Sequence, residues 1–263
     1  MSETIRPPAV AGSFYPADPE ELRAMVLGFL GAAPRDAASP PKAMVLPHAG
    51  LVYSGPIAAT GYALIESMRS TVRRVVLLGP AHRHYFVGLA APTTDFFETP
   101  LGRIPLDRET IRHIARMRQV KMLDAAHAAE HSLEVHLPFL QTQLDRFELV
   151  PLVVGEAGHD EVAEVIEALW GGPETLVVIS SDLSHFQRYG DAQRHDRATA
   201  DRIEALHDEE IGPGDACGCV PIGGLLKVAR RKRMRPVTLD LRNSGDTAGP
   251  RTEVVGYGAF VLR

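Results

Sequence analysis

The chain has 263 residues, 45% of them apolar and 23% charged, with a formal net charge of −5. That balance leaves no basic face, which excludes nucleic acid as an expected partner; the run Arg230, Arg231, Lys232, Arg233 reads as the basic last turn of a helix. No apolar stretch approaches bilayer length, "MSETIRPPAVAGSFYP" lacks a signal-peptide core, and Cys217 and Cys219 are too close for an ordinary disulfide, so the expected setting is cytoplasmic and away from membranes.

Along the chain, "GAAPRDAASPPK" (31–42) is the one loose stretch, and no internal repeat is present. Compact β-branched runs follow: "AMVLP" (43–47), "RVVLLG" (74–79), "VGLAAP" (87–92), "FELVPLVVG" (147–155) and "TLVVISS" (175–181). Each is closed by Pro, Gly or Ser, the pattern of strands buried on both faces. Helical patterns separate them. Ser54 is placed to cap one helix with Pro56 in its first turn, Asp107 opens "RETIRHIARMR", and Asp160 opens "EVAEVIEALW". Residues 191–210 and 220–233 read as two further amphipathic helices, and "RPVTLDLRNSGD" and "EVVGYGAFVLR" as two closing strands. This alternation predicts one α/β domain over 1–263, with a central, mostly parallel or mixed sheet flanked by helices.

The strands end in a consistent way. "AMVLP" runs into His48, "RVVLLGPA" into His82 and His84, and "TLVVISSDLS" into Asp182 and His185. Open α/β sheets bind their ligands beyond the carboxyl ends of the strands, which is where these side chains fall. "AEHSLEVHLPFLQ" adds Glu130, His131, Glu134 and His136, and "DACGCVPIGG" adds both cysteines. Each has an ordinary reading alone: Glu134 as a first-turn helix charge, Asp182 as a cap, Cys219 and His136 as packing residues. His113, His127, His159, His195 and His207 lie in helical or polar contexts and are expected at the surface. Convergence of four separate segments points instead to a metal site at one edge of the sheet, since neutral imidazole suits Fe, Zn, Cu and Ni.

The stretches "RPPAVAGSFYPADPEEL", "LPHAGLVYSG", "LGPAHRHYF", "EHSLEVHLPFL", "SSDLSHF" and "CGCVPIGGLL", in this order and followed by "LRNSGD…VVGYGAF", resemble the Memo protein family. That family in turn resembles the class III extradiol dioxygenases, single-domain α/β enzymes that open catechol rings with non-haem Fe(II). The resemblance implies His48, His82 and Cys217 as metal ligands, Cys217 standing where the dioxygenases carry a glutamate. It implies His185 as the acid/base histidine, His131 as a second catalytic histidine, and Asp182 as a third group of the catalytic pocket. Phe14 in "SFYP" stands where some eukaryotic relatives carry a tryptophan implicated in phosphopeptide binding. Fe(II) is the metal implied first, with Cu or Zn also compatible with a two-histidine, one-thiolate set. The expected function is a metal-dependent redox protein or oxygenase acting on a small molecule. The alternative is a non-catalytic module that recognises a peptide or protein partner around a structural metal. Relatives encoded beside radical-SAM and AMMECR-family proteins imply a shared multi-protein pathway.

Overall fold

The computed structural model describes residues 3–34 and 40–263; the middle of the loose stretch, 35–39, lies outside the described residues. In chain order the elements are β1 (Ile5–Arg6), α1 (Pro19–Ala32), β2 (Ala43–Leu46), α2 (Leu51–Tyr62), β3 (Arg74–Pro80), β4 (Leu89–Ala91), β5 (Phe96–Thr99), β6 (Gly102–Pro105), α3 (Arg108–Ile114), β7 (Val120–Met122) and α4 (Asp124–Ala128). After them come α5 (Leu137–Gln143), β8 (Glu148–Val154), α6 (His159–Ala168), β9 (Thr175–Ser180), β10 (His185–Gln187), α7 (Tyr189–Glu204), α8 (Cys219–Lys232), β11 (Pro236–Asn243) and β12 (Val254–Leu262).

The β-branched runs form the main sheet, whose order is β10-β12-β2-β9-β3-β8-β4-β7 with β11 also on β12. Its centre is parallel: β2 pairs with β9, β9 with β3, and β3 with β8. β12 joins β2 antiparallel, and β4 joins β8 antiparallel, which makes the sheet mixed. Val75, Val76, Leu77 and Leu78 of β3, and Leu176 to Ile179 of β9, have no exposed surface, so side chains on both faces are covered. Helix α8 packs on α6 and touches β3 and β9, while α2 packs on β2 and β12 with α1 behind it. A Cβ on Gly224 of α8 would stand 2.5 Å from Val162 Cγ1 of α6, so a glycine is what lets these helices approach. The described residues thus build a single α/β domain, as the alternation predicted.

The helix starts are local chemistry. Asp18 accepts the backbone N–H groups of Glu20 and Glu21 at 2.9 Å ahead of α1, and Asp107 accepts that of Thr110 ahead of α3. Two starts differ from expectation. α2 begins at Leu51 behind Gly50, and the Ser54 hydroxyl donates back to the Ala49 carbonyl instead of capping. α6 begins behind Gly158, whose N–H bonds the Glu161 carboxylate, which leaves Asp160 within the first turn. The helix expected over 191–210 ends at Glu204, because Leu206 takes a left-handed φ of 61° that an α-helix cannot continue through.

A second, three-stranded sheet of order β1-β5-β6 was not anticipated. It carries Arg6 inward to the loop that bears the histidines. Of the histidines expected at the surface, His127 is buried, while His159 and His195 are half-buried. His127 is 2% exposed and bonds the Ala90 carbonyl, His159 faces the buried Asp208, and His195 lies between Gln187 and Asp215.

Candidate metal centre

Because β2, β9, β3 and β8 run parallel, their carboxyl ends share one edge, and His48, Asp182 and His82 each follow a strand by two residues. His131 reaches the same place from the turn after α4, and Cys217 from the loop before α8. Ligand atoms of His48, His82 and His131 lie within 4.8 Å of one another, and the three ring centroids are 4.6 to 5.5 Å apart. Cys217 Sγ is 3.5 Å from His48 Nε2. The fold brings together five of the six predicted site residues, His48, His82, His131, Cys217 and Asp182, and His131, expected in a catalytic role, stands at ligand distance. His84 is exposed at the rim, stacked near Phe86.

Hydrogen bonds fix which imidazole nitrogens face the centre. Ser180 Oγ gives its one proton to the Ser132 carbonyl at 2.5 Å, so at its 2.5 Å contact with His48 Nδ1 it accepts. His48 therefore carries hydrogen on Nδ1 and leaves Nε2 bare toward Cys217. His82 is held twice by Glu130: its backbone N–H donates to Oε2 at 2.6 Å and its Nδ1 meets Oε1 at 2.9 Å. A carboxylate there again leaves Nε2 as the free donor, the arrangement by which outer groups orient metal-binding histidines. Glu130 also accepts the N–H groups of His131 and Ser132. His131 Nδ1 is buried and makes no aligned hydrogen bond, although Glu130 Oε1 stands 3.3 Å from it.

The electrostatics keep the His48 and His131 rings neutral. Burial, followed by the neighbouring His82 and His131, holds His48 well below its ordinary range, and burial pulls His131 down to about 4 against the opposing Glu130. Burial would raise Glu130, but hydrogen bonds from the His82 side chain and backbone and from Ser132 hold it at about 2, so it is anionic. Burial, then Asp182, pushes the Cys217 thiol up to about 12 despite the Asp182 N–H donated to its sulfur at 3.3 Å. Imidazoles with bare nitrogens beside a thiol are a donor set that fits Fe, Cu or Zn. Gly218 sets the thiol's position: a Cβ there would lie 2.7 Å from the Ser180 carbonyl oxygen and 2.6 Å from Ser181 Cβ.

Two cavities with no shared lining flank the centre. One of about 430 Å³ is lined by His82, Cys217 and Cys219 together with Arg83, His84 and Glu156. The other, about 380 Å³, is lined by Phe14, Tyr53 and Tyr257 together with His131, Asp182 and His185. His185 is exposed on β10, beside a bulge in which Phe186 takes a φ of 56°. Asp182 is 4% exposed; its Oδ1 accepts the His48 and Ala49 N–H groups, and burial raises it to about 6 against those bonds.

Several anchoring roles escaped the sequence reading. Glu134, read as a helix-start charge, is fully buried and gathers Arg6, the Ala9 and Val10 N–H groups and the Tyr15 hydroxyl. It thereby pins the N-terminal segment so that the Phe14 ring lies 4.8 Å from that of His131. Glu130 and Ser180 adjoin chemistry-bearing residues in "EHS" and "ISSD", which was the available signal. His136, left between packing and function, is buried, bonds Tyr62 Oη at 2.9 Å and lies outside the cluster.

Residues 6–261 match the family model of Memo-like proteins. A MEMO1 family protein of Aquifex aeolicus is 36% identical over 98% of this chain and 99% of its own length. One of Methanopyrus kandleri is also 36% identical, again over 98% and 99%. An uncharacterized protein of Escherichia coli K12 superposes with a TM-score of 0.48 at 13% identity, covering 82% of this chain and 98% of its own. With the family model spanning nearly the whole chain and such relatives end to end, this chain belongs to the Memo family.

Proposed function

We propose that this protein is a metal-dependent redox enzyme that holds Fe(II) through His48, His82 and Cys217 and acts on a small organic substrate. The observation that carries the reading is the convergence of His48, His82 and His131 within 4.8 Å at the carboxyl edge of a parallel sheet, with the far nitrogens of His48 and His82 already occupied. An Fe(II) ion held by these residues would supply redox chemistry toward dioxygen and a substrate. Ser180 and Glu130 orient the two imidazoles, so their bare nitrogens are presented without further rearrangement. His131 faces the aromatic cavity together with His185, and its neutral ring at physiological pH suits it to take a proton from a substrate hydroxyl or amine. Asp182 holds the His48–Ala49 turn through two backbone bonds and lines that cavity.

The test is metal analysis of anaerobically purified protein, then dioxygen uptake with a panel of phenols, amines and thiols. The reading predicts retained iron and substrate-dependent uptake that falls at least tenfold in His185→Gln while metal content holds. Retained metal with no uptake under any reducing condition would make the protein a binding module instead.

A further inference from the structure

The cavity beside His131 carries a chemical bias that the metal ligands do not explain. Three aromatic side chains, Phe14, Tyr53 and Tyr257, contribute to its walls, and its polar groups include His131, His185 and the carboxylate of Asp182. Among the described residues no lysine or arginine lines it. The cation next to its rim in sequence, Arg251, is committed elsewhere. Its guanidinium lies 4.4 Å from the centroid of the Tyr189 ring, approaches Asp246 at 3.9 Å, and donates to the Gly245 carbonyl. Asp182 is 4% exposed, and no arginine or lysine pairs with it among the described residues.

We propose that this cavity recognises an organic cation: a small protonated amine with a flat apolar body, whose nitrogen faces Asp182 and the Tyr53 and Tyr257 rings. The inference rests on the cavity being the substrate side of the centre proposed above. A ring face attracts a desolvated ammonium, and a buried carboxylate gains most from a partner that brings the missing charge. A carboxylate or phosphate ligand meets no cationic side chain here and faces Asp182 at close range. The volume, about 380 Å³, lies in the range of small-ligand pockets and suits a single ring with a short side chain.

The test is a charge series on the metal-loaded protein under anaerobic conditions. It uses 2-phenylethylamine, its neutral isostere 2-phenylethanol and the anion phenylacetate, with binding read by calorimetry. The amine is expected to bind at least about ten times more tightly than the alcohol, and phenylacetate least. Asp182→Asn keeps an oxygen for the His48 and Ala49 N–H groups; it should bring the amine down to the alcohol's affinity with metal content unchanged. Equal affinity for amine and alcohol overturns the proposal. So does phenylacetate binding first, the order expected if the metal's own charge selects the ligand. Should Asp182→Asn fail to fold, the wild-type series decides alone. Amine preference in a protein that consumes no dioxygen leaves this inference standing while the redox reading falls. Dioxygen uptake with alcohols but not amines does the reverse.

Discussion

Glu130 grips His82 at two points, accepting its backbone N–H at 2.6 Å and meeting its Nδ1 at 2.9 Å. One carboxylate thus sets both where the turn after β3 runs and which ring nitrogen is free. The same oxygen that meets the ring also accepts the N–H groups of His131 and Ser132, so Glu130 ties two of the three histidine-bearing segments together. Glu130→Gln keeps one accepting oxygen and loses the other. Metal affinity should fall by about 10- to 100-fold, the usual cost of an outer orienting group, with the fold retained. Competition against a chelator of known affinity checks it; an unchanged affinity would show that Glu130 serves only the loop.

The two candidates for third ligand are separable. Cys217→Ser should remove most of the metal affinity, and His131→Gln should leave most of it while depressing turnover. The reverse order, measured as metal per folded chain, would make the three-histidine cluster the ligand set and Cys217 a bystander. Cys219 should tolerate serine with little change in metal content.

Glu134 and Arg6 form a buried pair, 0% and 4% exposed at the side chain. Removing one partner of such a pair strands the other, at a cost of about 3–5 kcal/mol. Glu134→Ala should lower stability by that order and free the N-terminal segment, loosening Phe14 from His131. Urea unfolding gives the first effect, and protection of the 9–15 amides from hydrogen exchange gives the second. A loss below about 1 kcal/mol would contradict the account of Glu134 as the anchor of this segment.

Acid should destabilise the fold through its buried histidines. Burial lowers His127 to about 4 and His136 to about 3, whereas the unfolded chain takes up these protons near 6.5. The unfolded state binds more protons in that window. Stability is therefore full above pH 6.5 and declines as pH falls toward the folded values, by up to about 1.4 kcal/mol per pH unit for each histidine. His127→Gln, whose amide can still donate to the Ala90 carbonyl, should flatten the slope between pH 6.5 and 5. Denaturant midpoints at pH 7, 6 and 5 decide it; equal slopes in both proteins would refute the assignment.

What the sequence disclosed and what it hid divide along physical lines. β2, β3, β8 and β9 were legible because strands buried on both faces are continuous apolar runs, and they place His48 and His82 without further information. β7 and the small sheet of β1, β5 and β6 were not, since strands of two to four residues such as Val120–Met122 and Gly102–Pro105 carry too few positions for a period. Roles that depend on distant partners were also hidden. Nothing near Glu134 in the chain announces Arg6 and Tyr15, more than a hundred residues away. His127 looks polar in sequence and is buried in the fold because its partner, the Ala90 carbonyl, comes from another strand.

The central claim is that His48 and His82 hold a metal at the carboxyl edge of the sheet. Metal content of anaerobically purified wild type, set beside His48→Ala, His82→Ala and the pair, tests it most directly, together with melting temperature before and after chelation. The account predicts stoichiometric metal in wild type, near absence in the double variant, and a melting temperature that chelation lowers only in wild type; metal at 100 times its dissociation constant contributes about 2.7 kcal/mol. No retained metal in wild type, or equal metal in wild type and the folded double variant, would contradict it.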